Sequence, residues 1–137
     1  MQTMSINELN KIEKMLNPKS IAVIGASAKD GGLGHTVLKK IIDFGFKGKI
    51  YPINPKSPER LGIKAYTSVL EVPEEIDTAV FCIKGDFVLD VIKQFPQKGI
   101  HSCIIISAGF KEVGEEGKKR EAELKAFTKE NGIRVIG

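Results

Sequence analysis

The chain has 137 residues, 42% of them hydrophobic and 28% charged, and carries a formal net charge of +4. That length suits one domain with one core, and no apolar run approaches the ~20 residues that cross a bilayer. The 21 Lys and Arg are scattered rather than massed, which argues against a nucleic-acid patch.

The N-terminus shows no signal-peptide core, so a cytoplasmic location is expected. Cys82 and Cys103 sit in separate apolar runs, with no C-x-x-C and no His at ligand spacing. They read as buried, reduced residues rather than a disulfide or a metal site.

Ile6, Leu9, Ile12 and Leu16 recur at helical spacing, so residues 4–16 form a short amphipathic helix that Asn17-Pro18 ends. The apolar run Ile21–Gly25 is the first strand. Behind it come a small-residue turn with Gly31, Gly32 and Gly34, and then a helix whose stripe is Val37, Leu38, Ile41 and Ile42. Small residues let the backbone approach a ligand, and N–H groups at a helix start carry the partial positive charge that suits phosphate. This reads as the first βα turn of a doubly wound sheet, with a diphosphate ligand implied, although the spacing is not a clean G-x-G-x-x-G.

The second strand is Lys49–Asn54. Pro52 lies inside it and cannot donate to a ladder, so one side should be poorly paired. Residues 55–62 read as a loop, Ile63–Tyr66 as a short edge strand of open orientation, and residues 67–75 as one weak helical turn. Thr78–Ile83 is the third strand, followed by a helix with Val88, Val91, Ile92 and Phe95 inward. Ser102–Ser107 is the fourth, near-continuously apolar as expected of a strand covered on both faces. Glu115 and Glu116 open a last helix with Leu124 and Phe127 buried, Asn131-Gly132 stops it, and Ile133–Ile136 is a final strand.

Strands alternating with helices predict a Rossmann-like α/β domain: a doubly wound, mostly parallel sheet of five to six strands with helices on both faces. Residues 1–16 are expected to be a helical extension and 17–137 the binding domain, the first of a longer chain.

The end of the second strand bears on the ligand. A nicotinamide-binding domain normally places Asp or Glu there for the ribose hydroxyls, whereas this chain reads Asn54-Pro55-Lys56, with no carboxylate until Glu59. A lysine can pair with a phosphate. Coenzyme A (CoA) carries a ribose 3′-phosphate and NAD does not, so Lys56 tilts the reading towards CoA or NADP. Ligands in open α/β sheets lie beyond the carboxyl ends of the strands. That adds Ile83-Lys84-Gly85 and Ser107-Ala108-Gly109 to the candidates Gly25, Ala26, Ser27, Ala28, Lys29, Gly34, Asn54 and Lys56.

Three segments carry a resemblance: Asn17-Pro-Lys-Ser-Ile-Ala-Val-Ile-Gly-Ala-Ser27, Gly48-Lys-Ile-Tyr-Pro-Ile-Asn-Pro-Lys56 and Ile104-Ile-Ile-Ser-Ala-Gly-Phe-Lys-Glu112. From about Asn17 to Gly137 the chain resembles the N-terminal CoA-binding domain of ADP-forming acyl-CoA synthetases, found also in the succinyl-CoA synthetase α subunit. The resemblance implies the CoA diphosphate and adenosine around Gly25–Lys29, a basic contact at Lys56, and contacts at Ile83 and Ser107–Gly109. One departure is Lys84, where the family usually has proline, which puts the shape of that loop in question.

The family's reaction runs through an acyl phosphate and a phosphorylated histidine in a later domain, which neither His35 nor His101 matches. The resemblance therefore implies a module that holds CoA for downstream ligase and nucleotide-grasp domains and is inactive alone. A stand-alone CoA binder, an NADP-binding domain and a homo-oligomer stay open at this point. No catalytic or metal-ligating residue, no membrane and no nucleic-acid partner is expected.

Overall fold

The structure is a computed structural model that describes residues 5–26, 32–56, 58–106 and 114–136. Helix α1 (Ile6–Leu16) begins at Ser5, whose Oγ accepts the Glu8 N–H at 3.1 Å and so fixes the helix start. Its apolar stripe is largely uncovered, with Ile6, Leu9 and Leu16 exposed.

Strand β1 (Ser20–Ile24), helix α2 (Leu33–Asp43) and strand β2 (Lys49–Ile53) follow as anticipated. After a two-stranded excursion, β3 (Glu59–Arg60) and β4 (Ile63–Lys64), and a 3-10 turn at Val69–Glu71, the chain enters β5 (Thr78–Phe81). It continues through α3 (Gly85–Ile92), α4 (Phe95–Lys98), β6 (Ser102–Ile105), α5 (Gly114–Glu130) and β7 (Arg134–Ile136). Among the described residues no helix is long and apolar enough to cross a membrane.

The main sheet has five strands in the order β2-β1-β5-β6-β7, and every neighbouring pair is parallel. Side chains alternate across it. Ala22, Ile24, Ala79 and Phe81 join Val88 and Ile92 of α3, Phe95 of α4 and Leu124 of α5 on one face. Val23 joins Leu38 of α2, with Val37 and Ile41 beside it, on the other. This is a doubly wound, Rossmann-like arrangement.

Two expectations change in detail. Within Ile63–Tyr66, Ile63–Lys64 turns back antiparallel on Glu59–Arg60, inside the segment expected to be loop, and only Tyr66 reaches the main sheet, by a single parallel bridge to Ile53. Leu61 (φ 50°) and Gly62 (φ 79°) make the two-residue reversal, which needs positive φ at both positions. The hairpin meets the edge strand β2 through Tyr66, whose N–H donates to the Pro52 carbonyl at 2.9 Å and whose carbonyl accepts the Asn54 N–H at 2.8 Å. Pro52 thus sits on an edge strand, where its missing N–H costs little.

The helix expected through Phe95 is instead broken at Lys93-Gln94. Pro96 has no N–H to offer the Ile92 carbonyl, so it starts a new turn rather than continuing the old one.

The amino edge of the sheet is locked by side chains. Ser20 Oγ accepts the Asp77 N–H at 2.9 Å and donates to the Glu75 carbonyl at 2.9 Å. Asp77 Oδ2 accepts the Lys19 N–H at 2.7 Å, and Ser102 Oγ donates to the Asp77 carbonyl at 3.1 Å. Ser20, Asp77 and Ser102 are all buried, and their bonds tie together the starts of β1, β5 and β6.

Candidate functional site

The chain leaves β1 for β2 on one side and returns to β5 on the other. The strand order therefore reverses between β1 and β5, and a crevice lies beyond their carboxyl ends. Gly25 ends β1 there with φ +88°, a conformation that favours glycine. A Cβ on Gly25 would stand 2.6 Å from Ile83 Cγ2 and 2.8 Å from the Cys82 carbonyl oxygen. The close approach that demands glycine is thus made by the end of β5. Ile53 O accepts both the Gly25 and Ala26 N–H groups, at 3.1 and 3.3 Å, so these amides shape the turn.

Asn54 joins the ends of β1 and β2. Its Nδ2 donates to the Ala26 carbonyl at 2.8 Å, while its Oδ1 accepts the Lys56 N–H at 2.8 Å. The side chain is buried with both ends satisfied. Helix α2 starts without a side-chain cap: Gly32 takes the cap position with extended backbone, and Gly34 is buried in the first turn. The leading N–H groups of α2 have no partner within the helix, as at any helix start.

Lys56 is exposed. It borders an open groove of about 470 Å³ lined also by Asn54, Pro55, Pro58, Lys64, Ala65, Tyr66, Thr67 and the carboxylate-bearing Glu71. Lys64 Nζ lies 5.2 Å from the Tyr66 ring centroid, so two lysines flank this groove beside the end of β2.

Ile83 is half-buried at the crevice and Lys84 is exposed, just before α3. The Lys84 backbone (φ −62°, ψ 144°) is one that proline also adopts, so at this residue the departure from the family's proline leaves the backbone angles compatible. The structure thus brings Gly25, Ala26, Gly34, Asn54, Lys56, Ile83 and Lys84 to one edge of the sheet. Ser27, Ala28, Lys29, Ser107, Ala108 and Gly109 lie outside the described residues.

Sequence reasoning missed a contact across this edge. Arg60 Nη2 of β3 lies 3.1 Å from His35 Nδ1 in the first turn of α2. The signal was weak: a two-residue strand after a proline-rich loop has no periodicity to reveal it, and His35 and Arg60 are 25 residues apart.

Cys82 is half-buried and Cys103 buried, both free, and burial pushes their thiols up to about 11 and about 12. Neither has the environment of a reactive thiolate. Among the described residues no group of three or more His, Cys, Asp or Glu gathers as a metal site would. A second cleft of about 610 Å³ opens at the amino edge, lined by α1, Lys19, Asp77 and His101. There the Asp77 carboxylate is already bonded to the chain, and ligands of open α/β sheets bind at the other edge.

A parallel sheet with a glycine turn at its switch point defines a doubly wound domain of the kind that binds a phosphate-bearing cofactor. The match extends to a family. Residues 19–137 fit the CoA binding domain family, and the chain belongs to it. Coenzyme A is therefore its ligand, which decides between the CoA and NADP readings.

The chain is 48% identical over 127 residues to the trans-feruloyl-CoA synthase FCS1 of an unknown prokaryotic organism, covering 93% of this chain and 18% of that protein. It is 46% identical over 130 residues to the α subunit of acetate–CoA ligase (ADP-forming) I of Pyrococcus furiosus, covering 92% and 28%. The dinucleotide forming acetyl-coenzyme A synthetase 1 of Ca. Korarchaeum cryptofilum, solved with phosphate and ADP, superimposes with a TM-score of 0.86 at 41% identity, over 93% of this chain and 27% of that one. The chain thus spans between about a fifth and three tenths of the length of these relatives.

Proposed function

We propose that this domain holds CoA across the carboxyl edge of the sheet as one module of an ADP-forming acyl-CoA synthetase. In this reading the diphosphate lies over the turn between β1 and α2, where the α2 N-terminus supplies partial positive charge. The adenosine lies beyond the end of β2, with its 3′-phosphate towards Lys56. Ile83, Lys84 and the Ser107–Gly109 segment border the path of the pantetheine arm.

The observation that carries the reading is the groove beside β2, flanked by Lys56 and Lys64 at the strand end where a nicotinamide domain needs a carboxylate. The contribution to catalysis is positional. Fixing the long, flexible cofactor presents its thiol to the domains that make the acyl phosphate, so thioester formation proceeds without an encounter in bulk water. Residues 17–137 form this module, and 1–16 are an extension of it.

Titration calorimetry of the chain with CoA, dephospho-CoA and NAD tests the ligand site. CoA should bind with a micromolar to millimolar dissociation constant, and more tightly than the other two. A preference for NAD would refute it. Supplied with acetyl phosphate and CoA, the chain alone should form no acetyl-CoA above background, and joining it to the remainder of a synthetase should restore turnover. Thioester formation by the isolated chain would refute the modular role.

A further inference from the structure

We infer that Arg60, oriented by His35, is a second cation of the CoA site and serves the diphosphate rather than the 3′-phosphate. The inference rests on the placement of CoA proposed above. The β3–β4 hairpin that carries Arg60 is fixed beside the end of β2 by the two backbone bonds of Tyr66. Lys56 and Lys64 face the groove on one side of this hairpin, whereas Arg60 reaches the other way, to the first turn of α2. That turn follows directly on the segment from β1 over which the diphosphate lies.

The chemistry of the contact supports a ligand role. A guanidinium has only donors, so His35 Nδ1 accepts from Nη2 and the ring N–H sits on Nε2. His35 thus orients the guanidinium without neutralising it. Arg60 Nε is buried and has no hydrogen-bond partner, and no carboxylate among the described residues forms an ion pair with Arg60. A cation kept half-buried with its charge uncompensated is costly unless an anion arrives. A planar fork matches phosphate oxygens better than a lysine does. Beside a helix start, two sources of positive potential then converge on one diphosphate.

The test compares CoA with dephospho-CoA, which lacks only the 3′-phosphate, and with 3′,5′-ADP, which keeps that phosphate but lacks the second phosphate of the diphosphate and the pantetheine arm. Wild type, Arg60→Gln, Arg60→Lys and His35→Leu are titrated with CoA, dephospho-CoA and 3′,5′-ADP, with circular dichroism reporting folding. Arg60→Gln should weaken CoA and dephospho-CoA by the same factor, about 10- to 100-fold, the size of a lost charge-assisted bond. Arg60→Lys should recover part of the loss. His35→Leu should reproduce a smaller loss for both ligands, because the arginine stays but is no longer oriented.

Unchanged affinity in a folded Arg60→Gln protein overturns the inference. So does a loss confined to CoA and 3′,5′-ADP with dephospho-CoA unaffected, which would move Arg60 to the 3′-phosphate. Should Arg60→Gln not fold, the Arg60→Lys comparison decides alone: equal affinity to wild type for both ligands overturns it. Wild type that binds neither CoA nor dephospho-CoA would instead refute the underlying placement.

Discussion

The side-chain amide of Asn54 donates to the carbonyl of Ala26 at 2.8 Å, joining the residue after β2 to the turn that leaves β1. Because Oδ1 of the same side chain accepts the Lys56 N–H, one buried residue sets both the glycine turn and the start of the lysine-bearing loop. Asn54→Ala should therefore lower stability by about 1–3 kcal/mol, through a buried carbonyl left unpaired, and should also weaken CoA. Urea unfolding and calorimetry on the same preparation check both. Asn54→Asp keeps the acceptor but loses the donor, so it should retain the loop and still lose the turn. A variant with unaltered stability would show that water replaces the bond.

At Gly25 the cost of a side chain falls on folding first. With φ +88° and a Cβ that would meet the Cys82 carbonyl at 2.8 Å, Gly25→Ala should destabilise by about 2–5 kcal/mol, combining backbone strain with overpacking. Trimming the side chain it meets, in Gly25→Ala with Ile83→Ala, should not restore stability, because the carbonyl remains. Denaturant midpoints for the pair test this; full rescue would locate the clash in the Ile83 side chain alone.

Lys56 should behave in the opposite way. It is exposed, so Lys56→Ala should leave the melting temperature nearly unchanged. It should weaken CoA by about 1–3 kcal/mol while leaving dephospho-CoA unaffected. Equal losses for the two ligands would place the lysine away from the 3′-phosphate.

Leu61 offers a stabilising change. It is the first residue of a two-residue hairpin turn and holds φ 50°, a conformation costly for a side chain like leucine and easy for asparagine. Leu61→Asn should raise stability by about 0.5–1 kcal/mol without touching CoA affinity. A lower melting temperature would mean that the partly exposed leucine contributes more by packing than its backbone costs.

The thiols set an alkaline limit. Cys82 and Cys103 hold their protons to about 11 and about 12, above the ordinary 9.0, because burial disfavours the thiolate. In that window the unfolded chain releases protons that the native chain keeps, so stability falls as pH rises from about 9. Unfolding curves at pH 8 and pH 10.5 should show a smaller decline in Cys103→Ala than in wild type. At pH 7 both thiols should react slowly with alkylating reagents, and rapid modification of either in the folded protein would contradict the burial.

The centre of the fold was legible because its inner strands, β1 and β5 above all, are buried on both faces. Ser20–Ile24 and Ser102–Ile105 are largely apolar runs of strand length, and α1, α2 and α3 announced themselves by periodicity, whereas α5 showed only its acidic start, Leu124, Phe127 and the Asn131-Gly132 stop. The hairpin of Arg60 was not legible, since two-residue strands are too short for any period and its Leu-Gly turn lacks the usual Asn-Gly. The Pro96 break was visible in principle, but Phe95 completed the apolar pattern and masked it. For the site, strand ends were readable as positions. The Ala26–Asn54 bond and the approach of Ile83 to Gly25 join residues 28 and 58 apart along the chain, which only the folded sheet brings together.

The lock of Ser20, Asp77 and Ser102 has a practical corollary for redesign. It secures three strands from the amino rim, opposite the edge over which we propose that CoA lies, and so adds to the cohesion of the sheet independently of the loops beyond the carboxyl ends. Residues such as Lys56, Lys64 and Lys84 can be randomised together to seek altered cofactor preference, while the amino rim keeps each variant foldable. Tolerance at the carboxyl edge is therefore uneven: its exposed lysines are free to vary, whereas Gly25 and Asn54 hold the strand ends together and are not.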